Sequence, residues 1–394
     1  MNNGFKDRVA VVGMGCTKFG SRWDASKEDL LLEAVGECLQ DANLEFKDID
    51  AFWFGTQSSE QSGLGLSKYL KIDDKPVTRL ENYCCTGTDT FRNACYAVAS
   101  GVYDVVMAIG MEKLKDSGYI GLTVALPDED KTAPDIATPS MFATLAPGYA
   151  KKYGLSFEEL RNVLMNISYK NHYNGAMNPK ATFRKIQTME AIARSPMVAG
   201  PYLTVMDCSG LSDGAACAII MRTDMAQKHR KDPMYVKGIN MIADSGFAKT
   251  HVDYDFTSLR SSAIAAAQLY SHMGIKDPAR EFDLAEVHDC FTITELCLYE
   301  DLQFSKRGEG WQDLLNGKFN YDGMLPVNID GGLKSFGHPI GASGIRMIYE
   351  LWLQFHGKAG LRQQNNPRLG LTHNLGGESC QCMSGITVMG REAG

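Results

Sequence analysis

The sequence lacks the marks of several large classes of protein. It has no run of about 18 apolar residues, so no membrane-spanning helix is predicted. Its first residues, MNNGFKDRVAVVGMG, have no apolar core behind a basic start, and VMGREAG at the other end carries no peroxisomal or lipidation tail; we expect a cytoplasmic protein. Acidic residues outnumber basic ones, 47 to 40, for a formal net charge of −7. This balance argues against binding to nucleic acid or to an anionic membrane.

Motifs for common cofactors are also missing. There is no GxxxxGK[ST] phosphate loop, and GMGCTKFG after the first apolar run lacks the GxGxxG spacing of dinucleotide-binding turns. The 11 cysteines include no CxxC knuckle, which disfavours a zinc site at Cys84, Cys85, Cys380 and Cys382. A strained disulfide between the adjacent pair is disfavoured too. We predict reduced thiols, no metal site and no bound cofactor.

The chain does contain a repeated alternation of strand-like and helix-like segments. In the first part these segments lie at 9–12, 26–44, 48–57 and 104–114. The same order returns at 233–246, 261–275, 283–291 and 368–377. The rhythm predicts an α/β fold with a mainly parallel sheet, and the 394 residues favour two packed units. We place the two similar halves at 1–225 and 226–394.

A segment of different composition interrupts the first half, from about 112 to 205. It is rich in Pro, Met, Lys and Asp at LPDEDKTAPDIATPSMF and then helical at SFEELRNVLMNISYKNH. Long excursions from a compact fold are often lids or binding loops. We therefore predict an insertion that covers a site and does not belong to the sheet.

The adjacent cysteines in NYCCTG, at 82–87, are the first candidates for chemistry. Helical spacing of apolar residues begins just after them, so Cys84 is predicted to lie at a helix start. There the helix dipole and free N–H groups would lower the pKa of the thiol and favour thiolate. Gly87 would let the backbone approach a substrate closely. The alternative is that the thiol is a small buried hydrophobe.

Glycines and strand ends surround the other candidates. His338 lies in the glycine-dense GGLKSFGHPIGASG and could accept a thiol proton, or it could cap a turn. His288 and Cys290, in VHDCF, could be a hydrogen-bond donor and a second acid/base thiol, or a strand residue and a buried thiol.

The segment THNLGGESCQC supplies the last group of candidates. Asn374, Gly376 and Gly377 are predicted to form a turn after a strand, where N–H groups could hold an oxyanion. For Cys380 and Cys382, core packing on one face of the next strand is the favoured interpretation.

Six segments in this order resemble the thiolase superfamily, specifically the sterol-carrier-protein-2-type thiolases and their bacterial and archaeal relatives. They are NYCCTG at 82–87, DVVMAIGMEKL from Asp104, DCSGLSDGAA from Asp207, HDCF at 288–291, GGLKSFGHPIGASG at 331–344 and HNLGG at 373–377. The resemblance implies the thiolase fold: two βαβαβ-type halves in five α-β-α-β-α layers, with a loop domain inserted in the first half. It implies an acyltransferase that cleaves a 3-oxoacyl-CoA with coenzyme A as co-substrate, or runs the reverse Claisen condensation.

The resemblance also implies residue roles. Cys84, three residues before Gly87, would be the nucleophile, with His338 as its base. Cys290 would be the second acid/base, because the position of the usual CxG cysteine falls on Asn374; Cys380 and Cys382 are the alternatives. The oxyanion donors would be the side chains of His338 and His288 and the backbone N–H groups of Cys84 and Gly376.

Nearby aromatic residues bear on the substrate. A pocket is predicted from Tyr83, Phe142, Phe291, Phe336 and Asn374, with core packing as the alternative. Such a pocket would suit a bulky or aryl-bearing acyl group, such as that of benzoylsuccinyl-CoA. Other hypotheses are an acetoacetyl-CoA thiolase in a complex with an HMG-CoA synthase, a condensing synthase of the same fold, and a non-catalytic thiolase-like scaffold. The resemblance further implies a homodimer or tetramer and a small OB-fold zinc-ribbon partner of the DUF35 type.

Overall fold

The computed structural model describes residues 5–118 and 138–394. Within them the strands are β1 (Val9–Cys16), β2 (Ala51–Gly55), β3 (Val77–Leu80), β4 (Val105–Glu112), β5 (Met197–Ala199), β6 (Leu203–Thr204), β7 (Gly214–Arg222), β8 (Met234–Ala243), β9 (Leu284–Glu286), β10 (Leu369–Glu378) and β11 (Gln381–Gly390). The helices are α1 (Lys27–Ala42), α2 (Gly63–Leu70), α3 (Thr86–Ala99), α4 (Thr138–Ala143), α5 (Leu145–Tyr153), α6 (Phe157–Ala176), α7 (Met189–Ala193), α8 (Thr223–His229), α9 (Phe247–Thr250), α10 (Arg260–Met273), α11 (Pro278–Glu281), α12 (Thr292–Asp301), α13 (Gly310–Leu315), α14 (Gly332–Ser335) and α15 (Ile340–Phe355). None of these helices is both long and apolar enough to cross a bilayer.

The strand order carries an internal repeat. Nine strands form one sheet in the order β3-β2-β4-β7-β1-β8-β11-β10-β9. Reading outward from the centre, β1-β7-β4-β2 on one side corresponds to β8-β11-β10-β9 on the other. β1 and β8 pair antiparallel where the two sets meet. The two similar halves expected from the sequence are therefore visible in the sheet.

The prediction of a mainly parallel sheet is wrong. Within the described ranges, the parallel pairs are β2 with β3, β2 with β4, and β9 with β10. β7 runs antiparallel to both of its neighbours, and so does β11. β11 follows β10 directly as a hairpin, and such a return needs no crossover helix. The sequence pattern could not predict the antiparallel strands, because it indicates which residues are buried and not the direction in which a strand runs.

The helices complete five layers. α1 packs on β1 and β7, and α10 packs on β8 and β11, as the two outer layers. α3 and α15 pack against each other between the two sets of strands, and each contacts strands of both sets. α1 shows why the sequence folds this way: Ser26 caps its first turn in a capping box with Asp29, and Leu31, Ala34 and Cys38 bury one face.

Glycines let the central helices approach at backbone contact distance. A Cβ added at Gly87 would lie 2.8 Å from the backbone N of Gly344. One added at Gly110 of β4 would lie 2.1 Å from the carbonyl O of Gly341. The sequence predicts that Gly87 lets a substrate approach the backbone, but α15 fills the space beside this glycine. This contact brings the start of α3, with its cysteines, against the start of α15, which follows His338.

The segment predicted to cover a site is only partly described, because residues 119–137, with most of its Pro-rich stretch, lie outside the described ranges. In the rest, β5 and β6 pair only with each other. α6 packs against α12, α13 and α14. Since α12 follows the HDCF motif and α14 precedes His338, α6 lies against both histidine-bearing segments.

Candidate active site

Cys84 lies in a tight turn two residues before α3 begins. The N–H of Cys85 donates to the carbonyl of Asn82 at 3.1 Å, and the N–H of Thr86 donates to the carbonyl of Tyr83 at 3.0 Å. Tyr83 takes the left-handed conformation, with φ of 50°. Cys84 is half-buried, whereas Cys85 is fully buried. Of the two thiols, that of Cys84 is therefore the one a substrate can reach.

His338 lies on the loop that leads into α15. Its N–H donates to the carbonyl of Gly210 at 3.3 Å. Gly337 before it has φ of 117°, and a Cβ there would lie 2.5 Å from the Ser212 hydroxyl, so only glycine fits. Ring atom Nδ1 of His338 lies 2.7 Å from the Oγ of Ser343, and Nε2 is buried with no hydrogen-bond partner in the described part of the chain. Sequence reasoning missed Ser343, although it stands five residues after His338, within the same motif.

His288 and Cys290 follow the short strand β9. Nδ1 of His288 lies 3.0 Å from Nδ2 of Asn374 in β10, the neighbouring parallel strand. Sγ of Cys290 lies 3.7 Å from Oγ1 of Thr294. Both side chains are buried.

Three of the predicted residues converge. Sγ of Cys84 and one ring nitrogen each of His288 and His338 all lie within 4.8 Å of one another. The two imidazole rings are edge-on, with centroids 5.4 Å apart. A thiol with two imidazoles at this range is suited to nucleophilic catalysis assisted by a base and a hydrogen-bond donor.

Comparison with known proteins gives the family. The family described as "Thiolase, N-terminal domain" matches residues 9–224, and "Thiolase C-terminal domain-like" matches residues 246–390. The chain belongs to the thiolase family. The acetyl-CoA acetyltransferase of Methanothermobacter thermautotrophicus is 37% identical over 377 residues, which cover 94% of this chain and 96% of that protein. Sterol carrier protein 2 of Bos taurus is 30% identical over 393 residues, covering 94% of this chain and 70% of its own.

A solved structure supports the fold of this thiolase. A chain of the Ltp2-ChsH2(DUF35) aldolase matches with a TM-score of 0.82 at 21% identity, covering 98% of both chains. The predicted family, the thiolase fold and the acyltransferase class are thus confirmed.

The resting charges of the thiolase site differ from the prediction. Burial raises the pKa of Cys84 to about 12, and the Glu112 carboxylate adds to this, so the expected lowering at a helix start is wrong. Burial lowers the pKa of His338 to about 3, with a smaller effect of Arg346. Burial, followed by nearby His338, lowers the pKa of His288 well below its usual value. The site therefore rests as a neutral thiol and two neutral imidazoles, and thiolate has to be formed by proton transfer during the reaction.

The three candidate cysteines for the second acid/base have different surroundings. Burial raises the pKa of Cys290, and the Cys84 thiol raises it further. Cys382 lies 3.0 Å from the hydroxyl of Ser261. Cys380 is half-buried in the turn before β11, so the prediction that it shares a strand face with Cys382 is wrong. The role of second acid/base stays a prediction for Cys290.

The predicted turn at HNLGG is also wrong. Asn374, Gly376 and Gly377 all belong to β10, opposite Gly385 and its neighbours in β11. Adjacent glycines usually indicate a turn, but in a strand they mark a close approach of another backbone. Here a Cβ at Gly376 would lie 2.9 Å from the backbone N of Cys84. The roles of these two N–H groups as oxyanion donors stay predictions.

The four predicted pocket aromatics do not share one surface. The rings of Phe142 and Phe291 are buried with centroids 5.1 Å apart. Phe336 packs on Phe19 in a separate part of the core, with centroids 4.8 Å apart. Tyr83 is 45% exposed. Core packing therefore accounts for Phe336, whereas a pocket role for Tyr83, Phe142 and Phe291 stays a prediction.

A buried polar network that sequence reasoning missed joins the two histidine-bearing loops. The Asp289 carboxylate accepts hydrogen bonds from the N–H groups of Leu333 and Lys334 at 2.6 and 3.2 Å. The Asn171 amide of α6 donates to Asp289 at 2.8 Å and to Glu295 at 2.6 Å. Burial, with Glu295 next, raises the pKa of Asp289 to about 7. The only signal for this network in the sequence is the position of Asp289 inside the HDCF motif.

Cys84, His288 and His338 are also the one group of three potential metal ligands in the described ranges. A thiolate and two imidazoles are ligand types that zinc accepts. A metal held there would occupy the nucleophile and the base together, so the two uses of the site exclude each other.

Proposed function

We propose that this protein is a thiolase that cleaves a 3-oxoacyl-CoA with coenzyme A through an acyl-enzyme on Cys84. The observation that carries the proposal is the convergence of Cys84, His288 and His338 within 4.8 Å. The relative named acetyl-CoA acetyltransferase supports an acyl-CoA as substrate. The reverse Claisen condensation would use the same groups in the opposite order.

In the first half-reaction, Nε2 of His338 takes the proton of Cys84. The thiolate forms a bond to the C3 carbonyl carbon of the substrate, and the carbonyl electron pair moves to oxygen. His288 and the N–H groups of Cys84 and Gly376 are the proposed donors to the oxyanions, and loss of one such donor typically costs about 3 kcal/mol of barrier. Collapse breaks the C2–C3 bond and leaves a thioester on Cys84 and the enolate of the departing acyl-CoA.

In the second half-reaction, Cys290 gives its proton to C2 of the enolate. The Cys290 thiolate then takes the proton of the coenzyme A thiol, whose sulfur attacks the thioester carbon. Cys84 leaves as thiolate and recovers its proton from His338. Every proton is returned, so no further reactant is needed.

The test is intact-protein mass spectrometry after incubation with acetyl-CoA and with acetoacetyl-CoA. We expect one acyl adduct, mapped to Cys84 by peptide analysis and absent from Cys84→Ala. Cys85→Ala is the matched control and keeps the adduct, because its thiol lies in the core. Thiolysis that persists in Cys84→Ala would refute the mechanism, and retained function in vivo of Cys84→Ala would favour the scaffold hypothesis.

We also propose a bulky or aryl-bearing acyl group, with benzoylsuccinyl-CoA as the test compound. Support comes from the Phe142–Phe291 pair, since Phe291 directly follows Cys290. Phe142→Leu should lower kcat/KM for benzoylsuccinyl-CoA more than for acetoacetyl-CoA. Phe304→Leu, which replaces a buried ring of another aromatic pair, should leave the ratio of kcat/KM for the two substrates unchanged. A wild-type preference for acetoacetyl-CoA would instead favour the acetoacetyl-CoA thiolase hypothesis.

For partners, we propose a homodimer or tetramer and a small OB-fold zinc-ribbon protein of the DUF35 type. The family resemblance supports this, and the solved relative of similar fold is named as an Ltp2-ChsH2(DUF35) aldolase. Light scattering of the purified chain and co-purification with a co-expressed DUF35 protein would test both proposals.

A further inference from the structure

We propose that Ser343 and Asn374 are positioning residues that hold the two site imidazoles in opposite tautomers. His338 would then present a bare Nε2 as proton acceptor, and His288 would present an Nε2–H as hydrogen-bond donor. The catalytic consequence rests on the proposed thiolase function, whereas the tautomers can be measured without any turnover.

The tautomer of His338 follows from the single hydrogen of a hydroxyl group. The Ser343 hydroxyl donates that hydrogen to the carbonyl of Pro339 at 3.0 Å. Toward Nδ1 of His338, at 2.7 Å, its oxygen can therefore only accept. Nδ1 carries the ring proton, and the lone pair of a neutral imidazole is left on Nε2. That nitrogen is buried and has no hydrogen-bond partner among residues 5–118 and 138–394.

The tautomer of His288 follows from the orientation of an amide. Oδ1 of Asn374 accepts a hydrogen bond from the Thr88 hydroxyl at 3.4 Å, which turns Nδ2 toward His288. Nδ2 bears only hydrogens and must donate to Nδ1 of His288, at 3.0 Å. Nδ1 is then the acceptor, and the ring proton lies on Nε2.

Opposite tautomers give the two histidines different roles beside the Cys84 thiol. With Nε2 bare, His338 can take the Cys84 proton, and with Nε2–H in place, His288 can donate to an oxygen that gains charge. If both rings carried their proton on Nε2, no base would face the thiol. Burial keeps both rings neutral at pH 7, so their partners, and not the pH, decide which nitrogen holds the proton.

The direct test is ¹⁵N NMR of protein labelled at its eight histidines, because ring nitrogens with and without a proton have well-separated shifts. In wild type we expect a protonated Nδ1 for His338 and a protonated Nε2 for His288. Ser343→Ala should convert the His338 signals to mixed tautomers, and Ser343→Thr should restore them. Asn374→Asp, which accepts from Nδ1, should move the His288 proton to Nδ1.

The matched control is Ser262→Ala. It removes a hydroxyl that lies 2.9 Å from Nε2 of His373, a buried histidine outside the thiol cluster. We expect only the His373 signals to change. Thermal unfolding midpoints of all variants establish that the fold is retained.

Kinetics should separate the two positioning residues. Ser343→Ala should slow alkylation of Cys84 by iodoacetamide and lower kcat by about 10²-fold, as expected for loss of a general base, while Ser343→Thr recovers both. Asn374→Asp should lower kcat by about 10²-fold with alkylation nearly unchanged, because it affects the donor and not the base.

Unchanged His338 signals in a folded Ser343→Ala variant, or the same tautomer for both rings in wild type, would overturn the assignment. Opposite tautomers in a protein that never acylates Cys84 would refute the proposed function and leave the tautomer assignment standing.

Discussion

Gly110→Ala tests the idea that backbone contact between β4 and α15 holds the site together. The new Cβ would lie 2.1 Å from the Gly341 carbonyl O and 2.8 Å from Cα of Ala342, both backbone atoms. Ordinary contact begins at 3.4 Å, so α15 would have to move by about 1.3 Å relative to β4. Overpacking of this kind typically destabilises a protein by about 1–3 kcal/mol.

The same shift should also reduce activity, independently of the loss of stability. α15 follows His338 directly, so its movement changes the distance between His338 and Cys84. A misplacement of about 1 Å in a catalytic pair can cost about 10²-fold in rate. We therefore expect Gly110→Ala to lower kcat about 10²-fold, even at temperatures where the variant is fully folded.

The assays are urea unfolding followed by circular dichroism, and kcat with acetoacetyl-CoA. Gly36→Ala in α1 is the matched control, because no atom of the described residues lies within 4 Å of its added Cβ. That change should stabilise the protein by about 0.5–1 kcal/mol, through the better helix propensity of alanine, and leave kcat unchanged. Wild-type kcat and stability in Gly110→Ala would show that β4 and α15 are not held at this distance.

Two further predictions concern buried charges. Arg346 pairs with Asp330 and, at 3.3 Å, with Glu286, and all three residues are fully buried. Arg346→Met should lower the free energy of unfolding at pH 7 by about 3–5 kcal/mol, and by less at low pH, where the freed carboxylates are protonated. An equal loss at pH 5 and at pH 7 would contradict this. The pKa of Asp289 is raised to about 7, so protonated Asp289 favours the fold at low pH and this contribution is lost as the pH rises from about 4 toward 7. Asp289→Asn should remove that part of the pH dependence, and urea titrations that stay parallel to wild type over this range would refute it.

Local patterns were sufficient for much of the fold and for the choice of candidate residues. The capping box at Ser26 and the apolar spacing after it predict α1, since both depend only on residues within a few turns. Cys84 could be selected because it precedes a predicted helix, His288 because it ends a strand, and His338 because glycines surround it.

Tertiary packing decided what those residues can do. Gly376 and Gly377 suggest a turn by themselves, but they continue strand β10 because it pairs with β11, and the Cys84 turn packs against Gly376. The pKa of Cys84 rises because segments distant in the chain partly bury this residue, and this effect outweighs that of the helix start next to it. Asn374 reaches His288 from 86 positions away. Burial and hydrogen-bond partners of this kind come from segments far apart in the chain, so no local pattern can report them.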